Sequence, residues 1–172
     1  RLTPPRHTRR TIGRFARCED GVALVEFAMV LPMMLIVFAV IIEGSRMLIA
    51  YQSTITGVRD AARFLARVVP GDVCGPSGAG VGAVVAQTGR LTTIVGQSTS
   101  GGGVFPTSMT LNSVTPGLAC TAGTYRVNPA PVATVTADVT INLPFAGLFG
   151  LFGMSPRPVN TTITDASRVF GT

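Results

Sequence analysis

Gly21-Val-Ala-Leu-Val-Glu26-Phe-Ala-Met-Val-Leu-Pro32-Met-Met-Leu-Ile-Val-Phe38-Ala-Val-Ile-Ile42 is a near-continuous apolar run broken by one charge, Glu26. The hydrocarbon core of a bilayer needs about 20 apolar residues of helix, and this run has that length. A carboxylate inside such a run costs roughly 2.5–3.5 kcal/mol on insertion scales, so its presence asks for a function. Pro32 removes a backbone hydrogen bond and predicts a kink over residues 28–32. Phe27, Met29, Met33, Met34 and Phe38 suit lipid or neighbouring helices.

Outward from the run, charge is uneven. The chain carries 14 basic side chains, all arginine, and a formal net charge of +6. Residues 1–21 hold Arg1, Arg6, Arg9, Arg10, Arg14 and Arg17 against Glu19 and Asp20, a net +4. The rest of the chain carries only +2. The positive-inside rule therefore puts residues 1–21 in the cytoplasm and the residues after about 45 outside it. The expected location is the inner (cytoplasmic) membrane, crossed once, with a periplasmic or extracellular C-terminal domain. A basic arm beside a lipid bilayer segment, in a chain without Trp, argues against nucleic acid as a partner. A secretory signal peptide has a shorter apolar core and a small-residue cleavage site. Here the run is longer, and Arg46 follows it.

Beyond Glu43-Gly44-Ser45-Arg46 a helical pattern resumes. Met47, Tyr51, Ile55, Val58, Ala62, Leu65 and Val69 recur at spacings of three and four, one face of an amphipathic helix over 46–69. Arg59, Arg63 and Arg67 share another, solvated face, where Asp60 can pair with Arg63 at i+3. Pro70-Gly71 stops the helix. Helix from Val22 to Val69 would be about 70 Å long.

Residues 70–172 read as a loop-rich β domain. Gly75–Gly82 lacks the Gly-Lys-Ser/Thr ending of a phosphate loop and no strand leads into it, so it is taken as a loop. Val81–Leu91 suits a short helix or strand, and Gln97–Gly103 a flexible connector. A strand is expected within 104–115, with Met109 and Leu111 on one face. Val132–Leu143 is the clearest strand. Val135, Ala137, Val139, Ile141 and Leu143 alternate with Thr134, Thr136, Asp138, Thr140 and Asn142, which predicts one buried and one wet face. The helix stripe is its natural cover. Val159–Val169 suits an edge strand. The Phe/Leu/Gly loop 144–154 either caps the core or exposes an apolar patch; the cap is favoured. The fold class is α+β: a long N-terminal helix, half membrane and half amphipathic, packed on a small antiparallel sheet.

Cys74 and Cys120 lie outside the cytoplasm in this topology, where oxidising conditions favour a disulfide between them. Cys18 lies in the basic arm. A lone His7 leaves no His-based metal site or Ser-His-Asp triad, and no cofactor or catalysis is expected.

Asp20-Gly21-Val22-Ala-Leu-Val-Glu26-Phe27-Ala-Met-Val-Leu-Pro32 resembles the N-terminus of type IV pilins. It is most similar to the TadE-like minor pilins or pseudopilins of the bacterial tight-adherence (Tad, or Flp) pilus. Val58–Arg67 and the closing strand–loop–strand are similar to that family too. The resemblance implies a pilin-like fold and a leader 1–21 cut between Gly21 and Val22 by a prepilin peptidase. The expected partners are other pilins, minor pilins and the inner-membrane assembly platform, in a pilus used for adhesion. Such a cut would free the Val22 ammonium one helical turn from Glu26. A buried charge is tolerable when paired, so Glu26 would set the register of packed subunits. The alternative is an uncut bitopic protein whose outer domain binds a ligand or surface.

Overall fold

The computed structural model describes residues 20–97, 103, 109–150, 153–155 and 157–171. The leader up to residue 19 with His7 and Cys18, most of the Gln97–Gly103 connector, residues 104–108, and Leu151 and Phe152 of the apolar loop lie outside the described residues.

One helix, α1, runs Asp20–Val68 and includes Pro32. The chain divides into two compact units, residues 1–42 and 43–172. In the first, the described side chains from Val22 to Ile42 are nearly all exposed, Phe27 and Leu24 among them. Apolar side chains in that number have no stable place in water, where each buried methylene is worth about 0.8 kcal/mol. The apolar stretch of α1 is long enough to cross a bilayer, and with its exposed surface it marks a membrane anchor.

The second unit contains the rest of α1, two short helices, α2 (Val81–Val85) and α3 (Thr88–Gly96), and three strands. These are β1 (Met109–Thr121), β2 (Ala130–Ile141) and β3 (Val159–Arg168). A short helix, α4 (Ala146–Gly150), lies between β2 and β3. The sheet is an antiparallel meander in the order β1-β2-β3, so the architecture is α+β.

The alternation in β2 is as the sequence implies. Val135, Ala137, Val139 and Ile141 are buried, and the intervening residues are not. Leu143 falls past the strand and is half-buried. The buried face meets Val58, Ala61, Ala62 and Leu65 of α1 in the main core, with Leu91 and Val95 of α3 and Ile163 of β3. A smaller cluster joins Ala50 to Met109, Val139 and Ile141. The helix stripe is broader than its apolar spacing suggests. Ala50, Thr54, Gly57, Ala61 and Ala66 are buried as well, whereas Tyr51 is exposed. The small residues let neighbouring backbone approach. A Cβ on Gly57 would lie 2.8 Å from the Val95 carbonyl oxygen of α3.

Two departures from the sequence reading have clear causes. The stretch 81–96 makes two helices instead of one short element. Three threonines and two glycines give α3 poor helix propensity, but Leu91 and Val95 are fully buried at i,i+4. Thr92 and Thr93 return their hydroxyls to the carbonyls of Thr88 and Gly89. Burial overrides propensity here. Strand β1 is longer than expected and changes face midway. Met109 points inward, but so do Val114 and Pro116. A bulge between Leu111 and Ser113 inserts one residue and shifts the inward set from odd to even positions.

Helix α1 ends where Pro70 stands. Its Ala66 carbonyl accepts from Phe170 N at 3.0 Å, and Gly71 N donates to Gly171 O at 2.9 Å. Phe170 thereby satisfies one of the carbonyls that a helix C-terminus leaves open, and Gly171 ties down the turn that follows.

Candidate functional site

Gly21, Val22, Glu26 and Phe27 all lie in the first two turns of the described helix. Val22 and Glu26 are one turn apart and share a face. Both are exposed, as is Phe27. A Cβ on Gly21 would meet nothing within 4 Å, so packing within the chain does not demand glycine there. Among the described residues the ion pairs are Arg59–Asp165 at 3.5 Å and Arg63–Asp60 at 3.9 Å, both exposed. Glu26 takes part in neither. Its carboxylate stands on the apolar surface of the anchor, directed to whatever surrounds the helix.

The second unit contains an acid that the sequence reading treated only as a boundary marker. Glu43 is 7% exposed, and its Oε1 accepts a hydrogen bond from Phe145 N at 2.6 Å. The Arg46 guanidinium lies 5.8 Å from the centroid of the Phe145 ring, within cation–π range. The contact spans 102 positions of sequence, and neither residue carries a local signal of it. It fixes the apolar loop against the start of this unit. None of the loop's described residues belongs to either core cluster; Leu151 and Phe152, on which the expected cap also rests, lie outside the described residues.

Cys74 and Cys120 are bonded, with Cα atoms 5.8 Å apart, inside the usual disulfide range. The bond ties the turn after α1 to the end of β1.

The wet face of the sheet carries a hydroxyl network. Asp138 accepts from Thr162 Oγ1 at 2.6 Å and from Ser113 Oγ at 2.8 Å. The Thr162 bond, then the Ser113 bond, hold its carboxyl below the ordinary carboxylate range. Asn112, Thr140 and Asn160 form a parallel relay across the three strands. A groove between α1 and α3 holds Asp60, Arg63 and Arg67 beside Phe64. Asp60 is already paired with Arg63, and Phe64 lies under Arg90 at 5.4 Å. Among the described residues no group of three or more His, Cys, Asp or Glu side chains could hold a metal ion.

Comparisons with curated proteins and with solved structures return no match. One family model, described as TadE-like protein, matches residues 21–63. That span starts at the Gly21 of the motif, takes in Val22, Glu26 and Phe27, and ends at Arg63 on the helix under the sheet. Over this segment the chain is similar to the TadE-like family.

Proposed function

We propose that this chain is a minor pilin or pseudopilin that takes part in assembling or priming a Tad (Flp) pilus used for surface adhesion. Its role is structural, without catalysis. The reading rests on one observation: the TadE-like match opens at Gly21, where Val22 and Glu26 lie one turn apart on an exposed apolar helix. Prepilin peptidase cuts between Gly21 and Val22 and frees the Val22 ammonium. Glu26 pairs with that ammonium, in its own chain or in a neighbour. A helix out of register would keep an unpaired carboxylate in lipid, which is costly, so the pair selects alignment among pilins. The N-terminus is cytoplasmic, the sheet-bearing unit periplasmic or extracellular, and the inner-membrane assembly platform receives the protein.

Intact mass of the membrane form tests this. Cells with the peptidase are expected to yield a chain starting at Val22, and cells without it the uncut chain. Glu26→Leu is expected to insert normally and to abolish pilus assembly. Equal masses from both strains would overturn the proposal and leave an uncut, tethered domain.

A further inference from the structure

Strand β3 is one edge of the sheet, and its outer backbone groups are satisfied only toward its C-terminal end. Val169 N donates to Pro131 O at 2.9 Å, in step with the β2–β3 register. Odd-numbered residues of β3 therefore turn their N–H and C=O to β2, and even-numbered residues turn theirs outward. Phe170 N reaches Ala66 O of α1 at 3.0 Å. Ala166 N is taken at 2.8 Å by the neighbouring Asp165 carboxylate. The outward N–H groups of Asn160, Thr162 and Thr164 have no such partner among the described residues.

An open edge is a template for another strand, and charge, Pro, a bulge or a covering helix blunts it. The opposite edge, β1, has a bulge and Pro116 and packs against α2 and α3. From Val159 to Thr164, β3 has no charge, no Pro and no register shift. Just beyond this open half, a polar pocket of about 230 Å³ lies between α1 and β3, lined by Arg59, Ala62, Arg63, Asp165, Ala166 and Ser167. Asp165 meets Arg59 at Nε, 3.5 Å away, and Asp60 meets Arg63 at Nη1, 3.9 Å away. A guanidinium fork has further N–H donors, so both arginines can take another carboxylate. Arg67, one turn on, adds positive charge.

We propose that the β3 edge takes an extended segment of a different protein chain, paired antiparallel along Asn160–Thr164, with an acidic residue at its N-terminal end set between Arg59 and Arg63. Main-chain hydrogen bonds supply the affinity of such strand addition, and the arginines fix its direction and register. A second copy is a poor occupant, because the one acid of its β3, Asp165, is already held by Arg59 of its own chain. The docking depends on the sheet-bearing unit alone, and not on the pilus role or the anchor.

The probe is a Glu-Glu-Thr-Val-Thr-Val-Thr-Val peptide with a C-terminal fluorophore, added to full-length protein in detergent and read by fluorescence anisotropy. Saturable binding is expected, with slowed amide exchange at Asn160, Thr162 and Thr164. Thr162→Pro removes an outward N–H without touching the ladder, which an edge strand tolerates, and should abolish binding. Thr164→Pro repeats the reading if that variant fails to fold. A Gln-Gln version of the peptide should bind roughly two- to fivefold more weakly, as the loss of exposed ion pairs implies. No binding to the wild type, or equal binding to the folded proline variant, would overturn the proposal. Equal affinity for the two peptides would overturn the acidic end of the segment. A wild-type dimer that Thr162→Pro breaks up would give the edge to a second copy and overturn the assignment to a different chain.

Discussion

At the scale of single residues, two carboxylates separate two kinds of information. Glu26 is conspicuous because its neighbours are apolar, and the run announces it. Glu43 is conspicuous only once Phe145 is beside it. A buried backbone N–H that loses its acceptor costs about 1–3 kcal/mol. Glu43→Ala should lower unfolding stability by that amount in detergent-solubilised full-length protein, and Glu43→Gln, which keeps an acceptor oxygen, by less. Equal losses, or none, would show that the hydrogen bond does not hold the loop. Asp138 makes a prediction in pH. Its folded pKa is lowered by Thr162 and Ser113, so its contribution is complete above the ordinary carboxylate value of about 4 and fades as pH falls through the lowered one. The thermal midpoint of the wild type should therefore fall more steeply below about pH 4 than that of Asp138→Asn. Matching acid branches would remove Asp138 from the account.

At the scale of elements, the pairing of α1 with α3 depends on a missing side chain. Gly57 lets the Val95 backbone approach so closely that a Cβ would sit 2.8 Å from a carbonyl oxygen. Backbone cannot rotate out of the way as a side-chain tip can. Gly57→Leu should destabilise by about 1–3 kcal/mol, more than the roughly 1 kcal/mol that leaving glycine returns in helix propensity. Thermal unfolding of the solubilised protein reads the balance, and a raised midpoint would mean that α3 has room to move. Strand β2 is the opposite case. Its strict alternation places it centrally, between β1 and β3, without any special residue.

At the scale of the whole molecule, the two units answer to different solvents. Residues 22–42 hold their exposed apolar surface for lipid, while the unit from Glu43 buries its own in a core of mostly small aliphatic side chains. A core of Ala and Val is thin, and the Cys74–Cys120 bond compensates. It closes a loop of 46 residues, which contributes about 4 kcal/mol in the chain-entropy model. Reduction, or Cys74→Ala with Cys120→Ala, should lower the unfolding free energy by a quantity of that order. An unchanged urea midpoint after reduction would show that the core suffices alone.

The sequence by itself determined the apolar anchor, the position of Glu26, the α+β class, the alternation of β2 and the helix stop at Pro70. Each is written in local composition or period, which needs no partner to be read. The TadE-like segment was legible for the same reason, since its motif is contiguous. Only the tertiary structure decided the bulge that reverses β1, the helix built on Leu91 and Val95, the approach at Gly57 and the Glu43–Phe145 clamp. Those depend on which surfaces meet across long stretches of chain, and burial at such meetings outweighs the weak local preferences of Thr, Gly and Glu.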